Sequence, residues 1–141
     1  MGGTKRELYR FIDRLRIQLG VKSLSQPIDT IAFCRSQKNI ELVYHSFSTS
    51  GFCAAALLGE KGDTIVLNAR HSVEELNFDC GHELIHLTKH RGLGLSSFHC
   101  FDTLKPKQDP FIEWEANEGA AELTVPYRSF LPVSYTHLTL P

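Results

Sequence analysis

The stretch His82-Glu83-Leu84-Ile85-His86 narrows more than any other what this chain can fold into. It is an H-E-x-x-H pattern inside a segment that reads as helix. One helical turn separates the two histidines, so both imidazoles leave the same face and can share one metal ion. Glu83 stands beside that ion, where a general base for a bound water is needed. A catalytic zinc usually takes three protein ligands and keeps a fourth position open. The rest of the chain must therefore bring a third ligand to this helix.

The flanking sequence predicts an α+β domain. Thr4 to Leu19 carries a helical stripe of Leu8, Phe11, Ile12, Leu15 and Leu19, opened by a Thr4/Glu7 capping box and stopped by Gly20. A second short helix is expected from Pro27, burying Ile28, Ile31 and Ala32. Strand-like runs follow at Ile40 to Phe47, Phe52 to Gly59 and Thr64 to Asn68. The last two are joined by the turn chemistry of Glu60-Lys61-Gly62-Asp63, as in a hairpin. Ser72 and Glu75 form a second capping box, whose helix should run through His86 to about His90. Residues 91 to 110 read as irregular, and a last helix spans Phe111 to Thr124, ahead of Pro126. The expected architecture is N-terminal helices, a small antiparallel or mixed sheet, the H-E-x-x-H helix and a second helix bearing a ligand.

At 141 residues the chain has the size of one domain, expected over residues 1–132. Residues 133–141 resemble the translated adapter read-through that ends truncated reading frames. They read as a non-native tail, with the natural sequence continuing differently after about Pro132. A net charge of −1 gives no general pull toward nucleic acid, and no basic helix or helix-turn-helix is visible, so direct DNA binding is not expected. No apolar run approaches the roughly 18 residues of a membrane span. Cys34, Cys53, Cys80 and Cys100 are well separated, form no C-x-x-C pair and follow no signal peptide. That pattern suits reduced thiols in the cytoplasm.

Several candidates compete for the third ligand. A metzincin needs a histidine six residues after the second one, where this chain has Gly92. His90 lies on the same helix about 12 Å from His82, too far for both to reach one ion through bonds of about 2 Å. It reads instead as a satisfied histidine. Glu113 and Glu115 open the last helix, two residues apart and facing different sides, so only one can meet the metal. Glu113 shares a face with Ala116 and Ala120, and Glu115 shares one with Gly119 and Glu122. Spacing leaves that choice open.

Asn77-Phe78-Asp79-Cys80-Gly81-His82-Glu83-Leu84-Ile85-His86-Leu87, followed by Glu113-Trp114-Glu115-Ala116-Asn117-Glu118-Gly119-Ala120-Ala121-Glu122-Leu123, resembles the ImmA/IrrE metallopeptidase family. Thr64 to Asn68 and Val125-Pro126-Tyr127-Arg128 fit the same pattern, and the similarity covers roughly residues 27 to 131. In that family an E-x-[EQ]-A-N segment supplies the third zinc ligand. Its first position stays acidic and its third is often Gln, which assigns the ligand to Glu113. The resemblance thus implies a gluzincin-like site for one Zn2+ held by His82, His86 and Glu113, with Glu83 as general base. It also departs from the family: Gly119 stands where many members have Phe, which should remove core volume. Thr124 replaces a usual Leu and puts a hydroxyl at a packing position.

The same resemblance implies a function. Relatives of this type lie in phages and integrative elements and cleave a helix-turn-helix repressor, derepressing the element. A non-proteolytic regulatory protein that binds a partner through the same fold is the alternative. The resemblance also suggests that Thr64 to Asn68 is a sheet edge to which a substrate peptide adds as an antiparallel strand. His99 and Tyr127 are the available oxyanion donors, and each has a structural explanation as well. Cys80 reads as packed. Asp79 reads either as a support for a ligating histidine or as a solvated helix residue.

Overall fold

A computed structural model describes residues 5–21, 23, 26–47 and 51–125. Along the chain run α1 (Lys5–Gln18), α2 (Thr30–Arg35), β1 (Ile40–His45), β2 (Phe52–Leu57), β3 (Asp63–Asn68) and α3 (Val73–Lys89). A 3-10 turn (Arg91–Leu93), β4 (Ser97–Phe101) and α4 (Pro110–Thr124) complete the described fold. The architecture is the expected α+β arrangement, four helices and one mixed four-stranded sheet. Thr4, Tyr127, the Val125 to Arg128 segment beyond its first residue, and the tail at 133–141 lie outside the described residues. Among the described residues no helix is long and apolar enough to cross a membrane.

Local chemistry explains the element ends. Beyond α1, Gly20 takes a left-handed φ of 80°. Its N–H donates to Ile17 O at 3.0 Å and that of Val21 to Arg16 O at 2.9 Å, the paired bonds of a Schellman motif. Helix α2 starts three residues later than Pro27 suggests, because Asp29 is its N-cap and accepts from Ala32 N. Ala32 is consequently exposed, and Thr30 and Cys34 are the buried positions. The Ser72/Glu75 capping box at the head of α3 forms as predicted.

The sheet order is β1-β3-β2-β4, with β1 parallel to β3 and the other pairs antiparallel. The β2/β3 hairpin matches expectation, but β3 does not lie at an edge. It runs between β1 and β2, so Thr64 to Asn68 cannot receive an added strand. The edge beside the H-E-x-x-H helix is β4, within a stretch that reads as irregular. Its five residues follow a period of two, with Phe98 and Cys100 buried, too short a run to stand out from a loop.

Helix α3 is the centre of the molecule, and every residue from Asp79 to Leu87 is buried. Toward the sheet, Cys80, Leu84 and Leu87 pack with Ala54, Ala56, Ile65, Leu67 and Phe98. On the other side Ile85 joins Leu8, Ile12, Leu15, Ala116 and Leu123 of α1 and α4. Arg16, fully buried, donates from Nη2 to Glu122 O at 2.8 Å and so ties α1 to the C-terminal carbonyls of α4. At the far end of α3, Arg91 grips Asp63 of β3 with two bonds of 2.7 and 3.0 Å.

Gly119 does not leave a void. A Cβ there would meet Ile85 Cδ1 at 2.9 Å and Cγ1 at 3.0 Å, so bare backbone is what lets α4 lie against α3. The expected loss of core volume is thereby corrected, since Ile85 and Ile12 fill the space. The Thr124 hydroxyl is also satisfied, donating to Ala120 O at 2.8 Å.

Candidate metal centre

His82 and His86 leave α3 one turn apart, as their spacing requires, and point at the first turn of α4. Asp109 caps that helix by accepting from Phe111 N and Ile112 N, and Pro110 starts it, which fixes Glu113 in the first turn. Small residues on both sides, Gly81 on α3 and Ala116, Gly119 and Ala120 on α4, let the two helices approach closely. The resulting cluster has His82 Nε2 at 3.2 Å from Glu113 Oε1 and His86 Nε2 at 3.4 Å from Glu113 Oε2. The two Nε2 atoms are 3.2 Å apart. Both histidines are buried, while Glu113 is partly open to solvent.

Hydrogen bonds behind the rings set which nitrogens face the centre. Asn117 Oδ1 can only accept, so the His82 Nδ1–H donates to it at 2.9 Å and His82 Nε2 keeps its lone pair. Behind His86 stands a longer chain. Glu115 Oε1 accepts from the His90 Nε2–H at 2.8 Å, which leaves His90 Nδ1 to accept from the His86 Nδ1–H at 2.8 Å. His86 Nε2 is therefore also a lone pair. Phe98 of β4 stacks on the His86 ring at 4.3 Å and 6°, fixing its plane. Two imidazole lone pairs and a carboxylate thus converge with no donor among them. That donor set suits a divalent cation of the zinc class.

The electrostatics agree with that reading. Burial tends to raise the Glu113 carboxyl, but the neighbouring His82 and His86 rings outweigh it and hold the group down at about 2, in the ionised form a ligand needs. Burial pushes His86 and His90 down, opposed by Glu113 and Glu115 respectively, which favours the neutral rings that ligation and the chain behind it require. Glu83 is fully buried next to this cluster. Among the described residues neither of its oxygens has a hydrogen-bond partner. Burial first, then the charges of Glu113 and Asp79, raise its carboxyl well above the usual range. An orphaned buried carboxylate is costly to keep, and its position is what a general base for a water at the cluster needs.

The sequence candidates separate clearly. His82, Glu83, His86 and Glu113 come together. Glu115 instead faces His90, with Lys89 Nζ at 3.5 Å. His90 does not join the cluster but positions His86 from behind. Asn117, which closes the E-x-E-A-N segment and has no role assigned from sequence, does the same for His82. Its signal was available in the i, i+4 spacing from Glu113, which returns it to the same side of α4. Asp79 holds His71 Nδ1 at 2.7 Å rather than a ring of the cluster. Cys80 packs at 3.7 Å from Cys34 Sγ. His99 is exposed on β4 and lines a cavity of about 800 Å³ that opens onto Glu113 between Leu93, Leu95, Phe98 and Ile112.

Comparison with known proteins adds one match. Residues 35–140, most of the chain, fit the family model Peptidase_M78, described as an IrrE N-terminal-like domain. None of the curated proteins matches the chain.

Proposed function

The chain belongs to the IrrE N-terminal-like peptidase family, and from that premise we propose that it is a zinc-dependent endopeptidase. The observation that carries the reading is the convergence of His82 Nε2, His86 Nε2 and Glu113 beside the unpartnered Glu83. In this reading His82, His86 and Glu113 hold one Zn2+. When bound, the ion would supply Lewis acidity toward the attacking water and the scissile carbonyl. Glu83 takes the proton of the attacking water and later delivers it to the leaving amine. Asn117 and the Glu115–His90 pair keep both imidazoles in the tautomer that presents Nε2.

The substrate peptide lies along β4. Its outer edge has no partner strand among the described residues, and it borders the cavity that opens onto Glu113. An extended segment can add there with its own amides completing the ladder. The side chain of Gln108 already donates to His99 O at 2.7 Å, so the incoming strand displaces it or pairs around it. Leu93, Leu95, Phe101 and Ile112 favour an apolar side chain at this place.

The substrate itself is a helix-turn-helix repressor of a mobile element, cleaved in the cytoplasm to derepress transcription. Support for this identity is the family resemblance, and the unpaired cysteines suit a reducing compartment. The test is incubation of zinc-loaded protein with the repressor encoded beside its gene. Wild type should cut the repressor at a defined bond and Glu83→Gln should leave it whole. A repressor left intact by both proteins, each with zinc bound, would refute the proposal.

A further inference from the structure

A second group of metal-binding side chains lies on the sheet side of α3, away from the glutamates of α4. Strands β2 and β4 pair with an irregularity. Phe52 faces Phe101 and Ala54 faces Cys100, so Cys53 is one residue in excess on β2. In a regular strand Cys53 and Ala54 would point to opposite faces. A bulge turns the extra residue toward the same side as its neighbour and so re-aims its side chain. Here the result is that the Cys53 and Cys100 sulfurs and a carboxylate oxygen of Asp79 all lie within 4.8 Å of one another. Asp79 and Cys100 are buried and Cys53 is half-buried, which leaves an approach from solvent on the Cys53 side.

We propose that Cys53, Cys100 and Asp79 form a second metal site, one that takes a thiophilic divalent ion of the zinc class. Two thiolates and a carboxylate are a donor set that selects zinc-like ions over magnesium or calcium. Tetrahedral bonds of about 2.3 Å to sulfur and about 2.0 Å to oxygen need donors roughly 3.5 Å apart, a contraction that side-chain rotation supplies. Asp79 is already oriented, since His71 Nδ1 donates to Oδ2 at 2.7 Å in the way outer partners hold ligating carboxylates. Burial, then Asp79, push the Cys53 thiol up to about 11, and burial, then Glu83, raise Cys100 further. Binding the ion expels both thiol protons and leaves two thiolates bonded to it.

Cys100 comes within the same reach of His82 and Glu83, so the two centres share a wall. Cobalt(II) substitution separates them, because only thiolate ligands give an intense near-ultraviolet charge-transfer band. Reduced wild-type protein loaded with Co2+ should bind two equivalents and show that band. Glu113→Ala should keep one equivalent and the full band. Cys53→Ser and Asp79→Ala should lose the band and one equivalent, keeping the weaker visible bands of the histidine centre, which also report that the fold is intact. Wild type that binds one equivalent without the band would overturn the proposal. So would a band that disappears in Glu113→Ala, since Cys100 would then belong to the histidine centre.

Discussion

The two faces of α3 are built on opposite principles. Toward the sheet, Cys80, Leu84 and Leu87 meet apolar side chains, and burial of hydrocarbon does the stabilising. Toward α4 the helix presents His82 and His86 to Glu113, Asn117 and, through His90, Glu115, every one of them polar. Close approach on that side is given by Gly81, Gly119 and Ala120, and Ile85 alone carries the helix into the apolar cluster of α1 and α4. The sheet face therefore packs hydrocarbon throughout, whereas the α4 face divides its surface between the Ile85 cluster and a group of buried polar side chains.

The sharpest test of this division is Glu113→Ala against Glu115→Ala. The first removes one of three proposed ligands and should abolish tight zinc binding and peptidase activity while circular dichroism stays unchanged. The second leaves the ligands in place and only frees His90, so metal affinity should fall about 10–100-fold. Equal losses in metal titrations of the two variants would mean that Glu115, not the relay, holds the ion.

Glu83→Gln should split activity from stability. Loss of the base should lower turnover by roughly 10²–10⁴-fold, read in a cleavage assay. The metal-free variant should nevertheless be more stable than wild type, by about 1–3 kcal/mol at neutral pH, since a buried carboxylate without partners is removed. The sign follows from the raised carboxyl of Glu83. The folded state holds that proton more tightly than the unfolded chain, so wild-type stability falls as pH rises above the ordinary carboxylate value. The advantage of the variant should vanish at acid pH, where both forms are neutral. Denaturation curves showing an advantage at pH 4 equal to that at pH 7 would contradict this origin.

Leu84→Ala breaks the other face. Leu84 is 1% exposed, and its truncation should cost about 2–5 kcal/mol in denaturant unfolding. Affinity of the remaining folded protein for an ion at the histidine centre should stay within a few-fold of wild type, because His82, His86 and Glu113 meet on the other side and only the Phe98 ring, held in β4, links the two. A metal affinity that falls with the stability would mean that the two faces are coupled.

How much of this was readable in the sequence follows the range of the interactions. The shared face of His82 and His86 is set by helix periodicity, so five residues suffice. Glu113 needed a second motif, 31 residues beyond His82, and spacing alone left it level with Glu115, because the facing side of α4 is decided by its seating on α3, Ala120 against Gly81 and Gly119 against Ile85. The His90 relay was unreadable for the same reason. Its i, i+4 distance from His86 says that the rings are neighbours and not that a glutamate from α4 waits behind them. Strand order failed too: β3 looks like any edge strand locally, and its central place depends on β1 returning to it in parallel. The short β4, with His99 between Phe98 and Cys100, carries too few alternations to announce itself.

Gly119→Ala probes the closeness on which the α4 face depends, with the smallest change in chemistry. The added methyl would stand 2.9 and 3.0 Å from the Ile85 side chain and 3.3 Å from Ile12 Cδ1, tighter than ordinary contact. Ile85 is fully buried between α1, α3 and α4 and has little room to turn, so the helices must separate by a few tenths of an ångström. Alanine's better helix propensity, worth about 1 kcal/mol over glycine, offsets part of the overpacking cost of about 1–3 kcal/mol. The net loss of stability should therefore be small, within about 2 kcal/mol. The displacement falls on the helix that carries Glu113 and Asn117, so zinc affinity should drop more than stability does. Ile85→Val, which removes the methyl that Gly119→Ala crowds, should restore affinity in the double variant. Affinity that stays low there would show that α4 is held off by something other than this contact.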